Sequence, residues 1–148
     1  MHRIVLDAAA TEGRLAAVRS TMRGGAASPV HVHEREDETV FVLAGAAVVR
    51  AGDQRWELSS GDTAFLPRGL PHTYLFTSDT AALLTVCNPA GMEEFFRSAG
   101  WDLADPMPED WAVDVRSLGR IGAEAGQIVL GPPLKAEDAM PEAYLQRS

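Results

Sequence analysis

Cysteine is almost absent from this chain: there is one in 148 residues, Cys87. An internal disulfide is therefore excluded. Because Cys87 ends the apolar run Ala81 to Cys87, it reads as a buried structural thiol and not as a nucleophile. Basic residues are also scarce, with 13 Lys and Arg against 21 Asp and Glu, a formal net charge of −8. That balance argues against nucleic acid as a partner, since phosphate binding needs a basic surface. No apolar run is long enough to span a bilayer, and the apolar stretch before Asp7 is too short for a secretory signal. The expectation is a soluble cytoplasmic protein with no membrane partner. No internal repeat divides the sequence, so residues 1–148 read as one domain. Its core falls at about 14–90 and an extension at 91–148.

Histidine is rare as well, at four residues, yet three of the four fall in two short segments. His31 and His33 are separated by one residue, Glu38 follows, and His72 comes after Pro67, Gly69 and Pro71. Side chains alternate along a strand, so His31 and His33 project the same way and can share one ion. Glu38 lies an odd number of residues beyond His33. The polar run Glu34 to Asp37 reads as a turn that resets the parity and lets the carboxylate face back toward the imidazoles. Neutral imidazoles with one carboxylate suit a divalent first-row metal and leave coordination positions open. His2, with no partner in view, reads as a solvated or hydrogen-bonded side chain and not as a ligand.

Strands are expected at Arg14–Arg23, Val30–His33, Glu38–Leu43, Ala46–Arg50, Gln54–Leu58, Thr63–Leu66, Thr73–Thr77 and Ala81–Cys87, separated by Gly- and Asp-containing turns. So many short strands at close spacing indicate a sandwich or barrel. After Asn88 the composition changes. Met92 to Ala99 reads as a helix stopped by Gly100, and Asp114 caps a second helix through Ala125 that Gly126 ends. The remainder, beyond Ile128 to Leu130, reads as a mostly polar tail.

The first histidine segment resembles the first cupin motif. Gly, five residues, His-x-His, four residues, Glu, six residues and Gly fall at Gly25, His31, His33, Glu38 and Gly45. The second cupin motif is matched at Gly61, Pro67, Gly69 and His72, with Phe76 in the place of its closing Asn. The helix carrying Phe95 and Phe96 and the later run from Ile128 to Pro133 are similar to small single-domain cupins related to quercetinase. The resemblance implies an all-β fold, a single cupin jelly-roll β-barrel with short C-terminal helices. It implies one divalent transition metal ion (Fe, Mn, Ni, Co, Cu or Zn) on His31, His33, Glu38 and His72. Quercetinase-like cupins use the glutamate as both ligand and base, which makes Glu38 the expected catalytic residue and a dioxygenase the expected activity. A metal-assisted cyclase or isomerase, and a non-catalytic small-molecule-binding cupin, stay open at this point.

Strand parity extends the site. Tyr74 and Phe76 share a face with His72, and Val40 and Val42 share one with Glu38. With Trp56 as a further wall residue and Phe95 and Phe96 on a helix that either lids the mouth or closes the core, they outline a pocket for a flat, mostly apolar small molecule. Arg68 reads as a solvated side chain beside the ligand loop. A homodimer is expected, with the segment Ile4 to Arg23 as the contact, because an unpaired edge strand invites pairing.

Overall fold

Alternation of burial sets the sheets. Along Asp37–Ala44, Glu38, Val40 and Val42 are buried while Phe41 and Leu43 face out, the two-residue period of a strand with one face on a core. The computed structural model describes residues 1–99 and 115–146. Its strands are β1 (His2–Leu6), β2 (Ala16–Arg23), β3 (Val30–His33), β4 (Asp37–Ala44), β5 (Ala46–Ala51), β6 (Gln54–Ser59), β7 (Thr63–Leu66), β8 (His72–Phe76), β9 (Thr80–Asn88) and β10 (Gln127–Gly131). They form two five-stranded antiparallel sheets, in the orders β1-β2-β9-β4-β7 and β10-β3-β8-β5-β6. The inner faces meet in one core, with Val40, Val42 and Leu83 from the first sheet against Val49, Leu58 and Phe76 from the second. This is an all-β jelly roll. Its helices are short: α1 (Ala8–Thr11), α2 (Glu93–Ala99), α3 (Val115–Glu124) and α4 (Glu142–Leu145).

Two strands were not expected from the sequence. β1 pairs with β2, His2 opposite Ser20, and β10 pairs with β3, Gln127 opposite His33. β1 pairs with β2 within the chain and is itself the edge strand of the first sheet, within the segment expected to form the subunit contact. Elsewhere the differences are at boundaries. The strand expected from Arg14 begins at Ala16, because Glu12 and Gly13 turn the chain with positive φ after α1. The strand expected at Thr73 begins one residue earlier, at His72. Phe76, which replaces the motif's Asn, is 1% exposed in the core. Its N–H donates to Ala26 at 2.9 Å and its carbonyl accepts from Gly25 at 2.8 Å, so the strand end is held by backbone bonds instead of an amide side chain. The expected helix stop at Gly100 and cap at Asp114 lie outside the described residues. Beyond β10 the tail crosses the outer face of the second sheet, where Ala136 offers its carbonyl to the buried Arg50. Among the described residues no helix is long and apolar enough to cross a membrane.

Candidate metal centre and its cavity

β3 sends His31 and His33 into the space between the sheets. The turn after His33 then carries the chain into the other sheet, where Glu38 pairs with Leu66 on one side and Cys87 on the other. The parity reset is thus a change of sheet. His72 opens β8 directly beside His31, its partner in the ladder. The preceding loop is fixed by Gly69, whose φ of 78° favours glycine and whose N–H donates to the His33 carbonyl at 2.8 Å. Arg68 is exposed, as expected, and is also paired. Its Nε and Nη2 donate to the two Asp37 carboxylate oxygens at 3.1 and 2.9 Å, a fork that ties the ligand loop to the start of β4.

The four side chains are buried, with one ligand atom from each lying within 4.8 Å of the others. Nε2 of His31 is 3.1 Å from Nε2 of His33. Oε2 of Glu38 is 3.3 Å from Nε2 of His33 and 3.4 Å from Nε2 of His72. The other ring nitrogens set the tautomers. Nδ1 of His31 faces the Pro29 carbonyl at 2.8 Å and Nδ1 of His72 faces that of Leu70 at 2.9 Å. A carbonyl can only accept, so both Nδ1 atoms carry the hydrogen and both Nε2 atoms present bare lone pairs to the same point. For His72 that lone pair has no hydrogen-bond partner among the described residues. Burying such a group costs about 1–3 kcal/mol, a cost that a cation at the convergence point removes. The residues therefore fit a divalent metal.

Ionisation agrees with this reading. Burial, then the neighbouring imidazoles, holds His31 down to about 3. Burial likewise holds His33 down to about 4, against the pull of Glu38. For Glu38 burial pushes the other way, but the His72 and His33 imidazoles outweigh it and hold the carboxyl down to about 2. At neutral pH His31 and His33 are neutral and Glu38 is an anion, the protonation state in which such groups bind metal. Cys87, next to Glu38 in the ladder, is 2% exposed and burial raises its thiol, as expected of a structural cysteine.

A cavity of about 260 Å³ leads from this cluster to the surface. Of the expected wall residues, Tyr74, Phe95 and Phe96 line it. Val40, Val42 and Phe76 do not. They are 1–2% exposed and belong to the core cluster, with Phe76 stacked edge-on against the inner side of Tyr74 at 5.6 Å. Trp56 is also outside the wall. It sits on the edge strand β6, three places from β3, and is 37% exposed. Parity told which face these residues take, but not how far along the barrel the cavity reaches.

The helix α2 forms part of the cavity wall and is anchored at its start. Glu93, 1% exposed, accepts from the Ala8 N–H at 2.9 Å and the Gly91 N–H at 2.6 Å, which ties the helix start to α1 and to its own approach loop. Met92 beside it is buried on the cavity side.

Four polar lining residues escaped the sequence reading: His2, Ser28, Thr85 and Gln127. Gln127, 7% exposed, stands opposite His33 on β10. His2 is hydrogen-bonded and outside the ligand cluster, as expected, but it is half-buried and lines the cavity. Its Nδ1 is 2.7 Å from the Ser20 hydroxyl and its ring is 4.8 Å from that of Phe96. Burial and the N-terminal ammonium hold its pKa down to about 4. The signals were there in short form: His2 and Ile4 alternate with the exposed Arg3 and Val5, and Ile128 to Leu130 is an apolar run between two glycines.

Fold, motif spacing and ligand cluster together define a class, and residues 18–87 match the cupin domain family model. The chain belongs to the cupin superfamily. Over 100 residues it is 31% identical to the quercetin 2,3-dioxygenase of Bacillus subtilis (strain 168), covering 68% of this chain and 30% of that protein's length. Among solved structures it is similar to TT1209 from Thermus thermophilus, with 33% identity, a TM-score of 0.54 and coverage of 60% of this chain and 82% of that one. It is also similar to KdgF from Halomonas sp., with 26% identity, a TM-score of 0.55 and coverage of 60% and 76%.

Proposed function

We propose that the protein is a metal-dependent dioxygenase acting on a small, flat, enolic or phenolic molecule. One observation carries this reading: a single cavity joins a buried anionic cluster, His31, His33 and Glu38 backed by His72, to an apolar wall that includes Met22, Pro29, Met92, Phe95 and Phe96. An aromatic body suits the wall and one or two oxygens suit the cluster. A divalent transition ion (Fe, Mn, Ni, Co, Cu or Zn) held by the four ligands supplies Lewis acidity toward a substrate oxygen and, where it is redox-active, reactivity toward O₂.

The chain's own residues supply the rest. Glu38 is the one carboxylate on the cavity wall among the described residues, and as an anion at neutral pH it accepts the enolic or phenolic proton of an entering substrate. Burial, and then Glu38, raises the Tyr74 phenol. Tyr74 therefore stays protonated and can donate to a substrate oxygen. Phe95 and Phe96 contribute apolar wall that disfavours water in the cavity. The similarity to a quercetin dioxygenase supports the same reaction, and because it spans 30% of that enzyme, flavonols are a starting panel and not an assigned substrate.

The test is product analysis by mass spectrometry after metal-loaded protein is incubated in air with flavonols, catechols and enolised 1,3-diketones. Products carrying two added oxygen atoms, or their cleavage fragments, support the reading. A product of unchanged mass makes the protein a cyclase or isomerase, and unaltered bound ligand makes it a binding protein.

A further inference from the structure

The cavity has a second polar feature, away from the metal cluster and unused by the chemistry above. Strand register measures the separation. Glu38 stands level with Cys87 and Ala16, whereas His2 stands level with Ser20, four residues further along β2. At about 3.3 Å per residue that is roughly 13 Å along the strand, and β1 is three places from β4 in the sheet order. His2 and the cluster nevertheless line the same cavity, whose wall also includes Met22, Phe95 and Phe96.

The His2 ring is held by one polar and one aromatic contact. Ser20, 5% exposed, takes Nδ1 at 2.7 Å, and the tilted contact with Phe96 fixes the plane. Nδ1 is engaged by Ser20 and His2 lines the cavity, so Nε2, which has no hydrogen-bond partner among the described residues, is the ring atom left for a ligand. A neutral imidazole there donates or accepts according to its tautomer, and the Ser20 hydroxyl adapts to either.

We propose that His2 is a substrate-binding residue, its Nε2 receiving a hydroxyl or carbonyl at the end of the substrate far from the metal cluster. This deepens the dioxygenase reading, on which it rests. It narrows the substrate class to elongated aromatic molecules with a metal-binding oxygen at one end and a hydrogen-bonding group at the other. A compact catechol reaches one end only.

Two flavonols separate the ends. 3-Hydroxyflavone has the metal-binding hydroxyl and ketone and no other polar group, whereas quercetin carries hydroxyls on both outer rings, so whichever ring points to His2 presents one. Affinities are read from the absorbance shift on binding to metal-loaded wild type, His2→Phe and His2→Gln at equal metal content. Phenylalanine keeps the packing on Phe96 and removes the polar atom, and glutamine restores a donor and an acceptor. The expected result is a fivefold to tenfold weaker binding of quercetin by His2→Phe, recovered in part by His2→Gln, with 3-hydroxyflavone within twofold throughout. Equal changes for both flavonols, or unchanged quercetin binding in His2→Phe, would overturn the role of His2 alone. If wild type binds neither flavonol, the reading of the cavity as an enol site falls and takes this inference with it.

Discussion

Replacing His72 by Ala separates the metal's contribution from that of packing. His72 is 1% exposed, so alanine removes ring contacts and the bond from Nδ1 to Leu70, the latter worth about 1 kcal/mol. It also removes a buried lone pair without a partner, whose burial costs about 1–3 kcal/mol. The two effects oppose each other. Loss of the buried ring costs a further ~2–4 kcal/mol, so at about 2–4 °C per kcal/mol for a domain of this size the metal-free variant should fold and melt up to about 15 °C below metal-free wild type. The metal response should differ sharply. At a free ion concentration 100 times its Kd, wild type gains about 2.7 kcal/mol, a rise of roughly 5–10 °C. Loss of one of four ligands weakens affinity by about a hundredfold or more, which leaves a gain of about 0.4 kcal/mol or less at the same ion concentration. The assay is thermal unfolding with and without added metal. A metal-induced shift in His72→Ala equal to that of wild type would refute the assignment of His72 as a ligand.

Glu38→Gln, compared at matched metal content, should bind substrate yet turn over roughly a hundredfold more slowly, the usual scale for loss of a general base. Raising the pH should recover part of that rate, because the substrate then arrives ionised, and near-normal rates at pH 7 would leave Glu38 a ligand only. The folded-state pKa values of His2, His31 and His33 lie below 6.5, at about 4, 3 and 4. The unfolded chain therefore takes up protons first on acidification, and metal-free protein should be fully stable above pH 6.5 and lose stability down to about pH 4. Urea midpoints that stay flat between pH 7.5 and 4.5 would contradict the buried placement of these rings. A homodimer remains expected, and the outer face of the first sheet offers Phe41, Leu43 and Phe65, the last 58% exposed, as an apolar contact. Sedimentation at micromolar concentration should give twice the chain mass for wild type and less for Phe65→Glu, while a strictly monomeric wild type removes the expectation.

The ligand cluster was legible because it is encoded by spacing. Two histidines one residue apart share a strand face in any sheet, and the positions of Glu38, Gly69 and His72 repeat a known pattern. The strands between Val30 and Cys87 were legible for the same reason: they are short, alternating and punctuated by turns. What was not legible was lateral placement. Trp56, Val40 and Val42 have inward parity, but whether an inward residue meets the cavity, the core or solvent depends on which strand it belongs to and on how the sheets overlap. That is set by contacts between residues distant in sequence. β1 and β10 were missed because they lie outside the turn-punctuated series of strands, β1 at the start of the chain and β10 after the helical extension. With them went His2 and Gln127, which gain meaning from Ser20 and His33 across the ladder and not from their own neighbours.

The most direct measurement is oxygen uptake. With metal-loaded protein and a flavonol that binds it, an oxygen electrode and product quantification run together should show one O₂ consumed per substrate molecule converted, and no conversion under argon. Equal conversion with and without O₂ would contradict the dioxygenase account and make the same cluster the centre of a cyclase or isomerase.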